Sequence, residues 1–194
     1  GNKSHELVDS ALKVLENMMH RGAEGADGKS GDGAGIMVQI PHEFILLKGI
    51  PVPEKGKYGT GLVFLPKDKT EQDKILKVMI EVIEAEGLNL MKLRDVPTNP
   101  ACLGKVALES EPDIKQVFIT GVSNEDAPNL ERKLYVIRKK IENQVNHKDF
   151  YIVSLSSKNI IYKGMLSSMQ VRDYFDDLRD AYFTSGLALV HSRF

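Results

Sequence analysis

Residues 20–41 of the sequence read HRGAEGADGKSGDGAGIMVQIP, a glycine-rich turn followed by an apolar run. Six glycines occur from Gly22 to Gly35, and glycine weakens regular structure unless a positive φ or a close backbone approach requires it. The run 34–40 is apolar at almost every position, which is typical of a strand that is buried on both faces. The stretch therefore predicts a tightly packed turn that leads into a central strand.

A helix is predicted before this turn, from about residue 4 to residue 20. Apolar residues recur there three and four positions apart, and Ser4 can cap the helix by accepting a hydrogen bond from a free backbone N–H. After the strand, Pro41 ends the extended run, and residues 42–47 are predicted to form a short helix.

The middle of the chain, residues 59–155, alternates regularly between strand and helix patterns. Strands are predicted at 61–65, 89–94, 116–120 and 150–155, helices at 71–86 and 129–143, and a short helical turn at 103–109. Thr70 is the expected cap of the first helix, and Gly87 is expected to end it with a positive φ. The order strand, helix, strand, strand, helix, strand is that of a ferredoxin-like unit. Beyond it, strands at 159–163 and 188–191 flank a helical piece at 167–175.

Composition limits the classes of protein and partner. A chain of 194 residues with 42% hydrophobic residues can form one domain, with room for an inserted subdomain. Lys and Arg number 26 against 27 Asp and Glu, so we expect no nucleic acid and no membrane surface as partner. A single cysteine and the lack of an apolar run of about 20 residues predict a cytoplasmic protein. The first residue is Gly1 rather than Met, which favours a trimmed chain.

Six segments carry a resemblance to a known family: 11–18, 20–23, 30–36, 39–44, 161–166 and 189–194. In the same order they resemble the class-II glutamine amidotransferase domain, of the N-terminal-nucleophile hydrolase type, at the start of glutamate synthase large chains. The resemblance implies an α+β fold, an αββα sandwich of two mostly antiparallel sheets. Residues 1–194 would form part of it, with 59–155 as a ferredoxin-like βαββαβ insertion. The alternation of helices and strands alone would favour a doubly wound parallel sheet.

The same resemblance implies a function in glutamate biosynthesis. In the family, this domain hydrolyses glutamine and passes ammonia to a synthase domain, which carries FMN and an iron–sulfur cluster and aminates 2-oxoglutarate. A reduced nicotinamide or ferredoxin supplies electrons, and the sequence leaves open which. The implied partners are glutamine, the remaining synthase domains and a small electron-donating subunit. We expect none of these cofactors within this chain.

The catalytic nucleophile of the family is an amino-terminal cysteine whose own α-amine acts as the base. This sequence begins with Gly1, and its one thiol, Cys102, lies in a predicted loop without an adjacent base. Free cysteines of this kind are commonly small buried hydrophobes. The family's Asn-Gly oxyanion hole would follow beyond Arg193. The resemblance thus implies no catalytic residue in these 194 residues, and we expect them not to hydrolyse glutamine.

Two arginines match substrate-binding positions of the family. Arg193 matches the arginine of a His-x-Arg motif that receives the α-carboxylate of glutamine, a contact that suits a planar guanidinium. Arg21 matches an arginine beneath the nucleophile. By themselves, Arg193 would be a surface charge and Arg21 a cation at a helix end. His20 and His191 are expected to be structural, with no metal site.

Four residues of the turn are predicted to support the site: Gly22, Asp32, Gly33 and Gly35. We expect Asp32 to be a turn residue. The glycines would mark where a strand absent from this sequence crosses closely, which would leave strand 34–40 with an unpaired edge or face. A phosphate cradle is rejected because the turn opens a strand rather than a helix.

Two other functions remain open from the sequence. Residues 59–155 could form a regulatory module that binds an amino acid, or the whole chain could be a catalytically silent interaction domain. The sequence also leaves open the oligomeric state and whether the gene encodes the amino-terminal cysteine.

Overall fold

The computed structural model describes residues 2–19, 27, 29–121 and 127–192. The chain forms two compact units. The first consists of residues 1–44, 96–111 and 161–194, and the second of residues 45–95 and 112–160. The segment 96–111, which lies inside the predicted insertion, therefore belongs to the first unit.

The described residues form six α-helices and seven strands. The helices are α1 (His5–Asn17), α2 (His42–Leu47), α3 (Lys69–Ala85), α4 (Lys105–Glu109), α5 (Ala127–Gln144) and α6 (Gln170–Tyr174). The strands are β1 (Ala34–Gln39), β2 (Tyr58–Leu65), β3 (Leu88–Asp95), β4 (Asp113–Gly121), β5 (Tyr151–Ile152), β6 (Asn159–Gly164) and β7 (Ala188–Ser192). Short 3₁₀ turns cover Pro100–Cys102 and Asp176–Arg179. Every predicted element is present, although several differ in length.

The first helix agrees with the prediction. The backbone N–H of Leu7 donates to Ser4 Oγ over 3.2 Å, which caps α1 at its start. The apolar stripe buries Val8, Leu12 and Leu15, and α1 lies against β1 and β7.

The sheet of the first unit has the strand order β6-β1-β7, so β1 is the central strand, as predicted. β1 and β7 are antiparallel, with Ala34 opposite Ser192 and Val38 opposite Ala188. Because β1 has a neighbour on each side, the prediction that it has an unpaired edge is wrong.

The second unit contains an antiparallel sheet with the strand order β3-β4-β2-β5. One core joins the sheet to α3 and α5, with buried residues from all three. On α3 these are Ile75, Met79, Val82 and Ile83, and on α5 they are Leu130, Leu134, Ile137 and Ile141. The mixed α/β architecture with antiparallel sheets agrees with the family resemblance and excludes the doubly wound parallel alternative for this unit.

The strand predicted at 150–155 is reduced to the two residues of β5. The chain still follows β2, since Val153 N donates to Leu62 O over 2.9 Å and Thr60 forms an isolated bridge with Ser156. Between these contacts the carbonyl oxygen of Ser154 lies close to Gly61. A Cβ atom built on Gly61 in ideal geometry would be only 1.7 Å from this oxygen. This close approach departs from a regular ladder, which explains the short strand.

The cap of α3 differs from the prediction. Asp68, not Thr70, is the N-cap, because its carboxylate accepts a hydrogen bond from Glu71 N over 3.0 Å. Thr70 lies inside the first turn of the helix. At the other end Gly87 has a φ of 74°, as predicted.

We expect Asp68→Ala to lower the free energy of unfolding by about 1 kcal/mol, the usual cost of losing an N-cap side chain. Thr70→Ala is the matched control and should change it by less than about 0.5 kcal/mol, because surface substitutions away from such features have small effects. Urea unfolding followed by circular dichroism measures both. Equal effects at the two positions would contradict this cap assignment.

Candidate functional site

The candidate site is the end of the first sheet where β1 begins and β7 ends. Ala34, the first residue of β1, is paired with Ser192, the last residue of β7. The glycine-rich turn therefore enters the sheet beside the point where β7 leaves it. The arginine predicted to bind glutamine, Arg193, follows Ser192 directly in the sequence.

Two glycines of the turn lie against β6 and the residues that follow it. An ideal Cβ on Gly31 would be 2.2 Å from Ser167 N and 2.3 Å from Leu166 O. On Gly35 it would be 2.5 Å from Lys163 Cβ and 2.7 Å from Tyr162 O. Real Cβ atoms essentially never come within 3.0 Å of such atoms. At Gly31 and Gly35 the prediction that an absent strand fills this space is therefore wrong, since residues 162–167 fill it. At Gly22 and Gly33 it stays a prediction.

Asp27 and Ser30 connect the turn to the start of α4. Asp27 Oδ1 accepts hydrogen bonds from Ser30 N over 2.7 Å and from Lys29 N over 3.1 Å, and Oδ2 accepts from Ser30 Oγ over 2.6 Å and Val106 N over 3.1 Å. Ser30 Oγ also accepts from Ala107 N over 3.2 Å. The hydrogen bonds from Ser30, followed by those from Val106 and Lys29, hold the pKa of Asp27 well below its usual range.

This contact explains how α4 begins at a glycine. Gly104 is its N-cap and offers no side-chain hydrogen bond, so Asp27 and Ser30 supply the acceptors from a distant loop. A Cβ on Gly104 would be 2.4 Å from Ser30 Oγ and 2.6 Å from Asp27 Oδ2. Glycine is thus required at this close approach.

The Gln170 side chain connects its own segment to two distant backbone segments. Its Nε2 donates to Lys29 O over 3.0 Å and to Cys102 O over 2.7 Å, and its Oε1 accepts from Ser167 N over 2.8 Å. The side chain is buried. Ser168 Oγ lies 2.9 Å from Ser192 Oγ, which links the same segment to the end of β7. The turn, the start of α4, the start of α6 and the end of β7 therefore meet at one end of the sheet.

An ion-pair cluster attaches α6 to α1. Arg172 Nε donates to Glu16 Oε1 over 2.8 Å, and Arg172 also pairs with the carboxylate of Asp9. Lys13 and then Arg172 lower the pKa of Asp9 to about 2. Since Arg172 is two residues from Gln170, this cluster also anchors the helix that carries Gln170.

The structure places some of the predicted site residues. Gly33 and Gly35 are buried at this end of the sheet, and Asp32, directly before Gly33, is exposed. Gly33 has a φ of 125°, a conformation that L side chains rarely adopt. Arg193, Arg21, Gly22 and His20 lie outside the described residues, and His191 is an exposed residue of β7.

Cys102 has the environment of an inactive thiol. It is half-buried, and its Sγ lies 3.1 Å from Asn99 O, to which it donates. Burial, assisted by the charge of Asp173, raises the pKa of the thiol. A raised pKa disfavours the thiolate, the reactive form of cysteine.

The described residues contain neither a metal-binding cluster nor a membrane-spanning helix. Within residues 2–19, 27, 29–121 and 127–192, no group of three or more His, Cys, Asp or Glu side chains could hold a metal ion. In the same residues, no helix is long and apolar enough to cross a bilayer.

Sequence reasoning missed Asp27, Ser30 and Gln170. A weak signal existed for the first two, because Asp-x-x-Ser is a pattern in which an Asp side chain bonds backbone groups of its own turn. Gly104 was a second signal, since a helix that starts at glycine lacks a side-chain cap of its own. Gln170 carried no local signal, because Lys29 O is 141 residues away in the sequence.

Comparison with known proteins gives matches over the full chain. The profile of the family "Glutamine amidotransferases class-II" matches residues 1–194. The chain is 46% identical over 200 residues to "Glutamate synthase [NADPH] large chain" of Bacillus subtilis (strain 168), which covers 100% of this chain and 13% of that protein. It is 39% identical over 209 residues to "Glutamate synthase [NADH]" of Saccharomyces cerevisiae, a match that covers 100% of this chain and 10% of that protein. It is 36% identical over 198 residues to "Ferredoxin-dependent glutamate synthase 2" of Synechocystis, a match that covers 100% of this chain and 13% of that protein.

These matches confirm the resemblance to glutamate synthase large chains found in the sequence. The chain spans only 13%, 10% and 13% of the length of these three relatives. The family profile, by contrast, extends from the first residue to the last. The chain belongs to the class-II glutamine amidotransferases.

Proposed function

We propose that this chain is part of the glutamine amidotransferase domain of a glutamate synthase large chain, which releases ammonia from glutamine for the amination of 2-oxoglutarate. The observation that carries the proposal is the family match over all 194 residues. The relatives are named for NADPH, NADH and ferredoxin, so the similarity does not favour one electron donor.

In this proposal, glutamine binds at the end of the first sheet. Arg193 receives its α-carboxylate, and Arg21 supports the pocket beneath the nucleophile. The nucleophile is an amino-terminal cysteine outside these 194 residues, and it attacks the side-chain amide with its own α-amine as base. Gly22, Asp32, Gly33 and Gly35 shape the turn beside the pocket. The register that puts Ser192 beside Ala34 supports this arrangement.

We also propose that the first unit is part of an αββα sandwich of the N-terminal-nucleophile hydrolase type, and that the second is a ferredoxin-like insertion within 59–155. The strand order β3-β4-β2-β5, with α3 and α5 in one core with the sheet, supports the second assignment. On this view, residues 96–111 return to the main domain in the middle of the insertion.

The cofactors belong to other parts of the synthase in this proposal. An iron–sulfur cluster is held by several cysteine thiolates, and this chain has one cysteine, so its residues do not fit that group. We likewise assign FMN, the electron donor and a small electron-donating subunit to the rest of the enzyme, which we place in the cytoplasm.

We expect the 194-residue chain alone to release no ammonia from glutamine above the uncatalysed background, whereas the complete protein does. The reason is that the chain provides neither the nucleophile nor its amine. A coupled ammonia assay measures both. The complete protein with its nucleophilic cysteine changed to alanine is the control for contaminating glutaminases. Turnover by the chain alone above that control would contradict the proposed assignment of the nucleophile.

One observation favours a second candidate function, an amino-acid-binding module in the second unit. A cavity of about 310 Å³ is lined by Arg138, Lys139, Glu142, Val145, Phe150, Tyr151 and Ile152. Arg138 Nε and Lys139 Nζ lie 2.7 and 2.8 Å from the Glu142 carboxylate, so a zwitterionic amino acid would bind beside the apolar wall by exchanging these ion pairs for contacts with its own charges. Calorimetric titration of the chain and of its Arg138→Ala variant with glutamine and glutamate distinguishes this candidate, which requires binding that the variant loses.

A further inference from the structure

We infer that Gln170 is a positioning residue, which holds the glycine-rich turn and the end of β7 in the geometry that binds glutamine. The inference rests on the proposed function, since it concerns the same pocket. Gln170 lies at the start of α6 and does not itself need to touch the substrate. It acts through the backbone segments that its carboxamide connects.

The carboxamide of Gln170 forms hydrogen bonds with backbone groups through both its nitrogen and its oxygen. Both of its N–H groups have an acceptor, Lys29 O at 3.0 Å and Cys102 O at 2.7 Å. Its oxygen accepts from Ser167 N at 2.8 Å. Only 7% of the residue is exposed, so water cannot easily replace these partners. A buried polar group with partners on two distant segments and on its own segment fixes the relative positions of all three.

Two contacts carry this constraint to the pocket. An ideal Cβ on Gly31 would be 2.2 Å from the backbone nitrogen of Ser167. The turn therefore cannot move closer to residues 166–168. Ser168 Oγ is 2.9 Å from Ser192 Oγ, directly before Arg193 in the sequence. A shift of residues 166–168 would therefore displace both the turn and the end of β7. Displaced binding groups fit glutamine less well, which weakens its binding.

A merely structural role would have a different consequence, and the chain offers a matched control for it. Gln72, on α3 in the second unit, is 3% exposed. Its Nε2 donates to Pro66 O over 2.6 Å and to Asp113 Oδ2 over 2.7 Å. Replacing either glutamine by methionine keeps a similar volume and removes buried hydrogen bonds. Only the loss at Gln170 should change the binding of glutamine.

The test compares Gln170→Met and Gln72→Met in the complete protein. We expect Gln170→Met to raise the KM for glutamine about tenfold, the equivalent of roughly two neutral hydrogen bonds, with kcat changed less than about twofold because the lost constraint mainly affects binding. Gln72→Met should lower the melting temperature and leave KM unchanged. Hydrogen exchange should become faster at amides 29–33 in Gln170→Met alone.

Different results would contradict the proposed function and the inference about Gln170. If the unaltered complete protein releases no ammonia from glutamine, the proposed function is wrong. If it does, and both variants change KM equally or neither changes it, the inference about Gln170 is wrong. Should Gln170→Met not accumulate in soluble form, Ser168→Ala provides the same test, because it removes one hydroxyl and leaves the packing. KM should then rise about threefold, roughly the value of one weak hydrogen bond, and an unchanged KM would overturn the inference.

Discussion

Replacing Arg193 by alanine in the complete protein is expected to raise the KM for glutamine about ten- to a hundredfold. A charge-assisted hydrogen bond to a carboxylate contributes about 1.5 to 3 kcal/mol, and each 1.4 kcal/mol corresponds to about tenfold in affinity. The α-carboxylate takes no part in the reaction at the side-chain amide. Its contact is therefore the same before and during the reaction, so kcat should change little.

Two further variants make this result specific. Arg193→Lys keeps the charge but loses the planar fork that binds both carboxylate oxygens, so its KM should fall between those of the unaltered protein and the alanine variant. Arg179→Ala is the control, because Arg179 forms an exposed ion pair with Asp176 in the turn after α6. Steady-state kinetics with glutamine as the varied substrate measures all three. An unchanged KM in Arg193→Ala would remove Arg193 from the pocket.

Local patterns in the sequence predicted most elements because each depends on neighbouring residues. The apolar stripe of α1, the continuous apolar run of β1 and the glycine at the end of α3 all fix structure within a few positions. The prediction of Thr70 as the cap of α3 was wrong even though a cap is a local feature, because Asp68 and Thr70 are both cap-forming residues and lie two positions apart. A hydrogen bond decides between them, and the sequence does not show it.

Contacts between distant segments were the part that the sequence could not predict. The turn packs on residues 162–167, more than 120 positions later, and its Lys29 carbonyl binds Gln170, 141 positions later. Periodicity carries no information on such pairs. The close approach that the glycine-rich turn predicted is confirmed at Gly31 and Gly35, but the sequence alone did not identify the segment that approaches.

The second large effect is expected at Gly35, where alanine should lower the free energy of unfolding by about 3 kcal/mol. Overpacking a filled site costs about 1 to 3 kcal/mol. The upper end applies because the new Cβ would be 2.7 Å from Tyr162 O and 2.5 Å from Lys163 Cβ. Both atoms belong to β6, the neighbour of β1, so relief requires the two strands to move apart. Gly35→Val adds bulk at the same position and should cost at least as much.

Gly164→Ala is the matched control, since Gly164 ends β6 in the same sheet. An added Cβ there would be 3.3 Å from Leu166 Cγ, a side-chain atom that can shift by a few tenths of an ångström. We expect a change below about 1 kcal/mol, the usual range for a small repacking. Urea unfolding of the 194-residue chain, followed by circular dichroism, measures both variants. If both unfold at the same urea concentration, then β6 does not restrict the residue at position 35, and the turn is held at the candidate site by its hydrogen bonds alone.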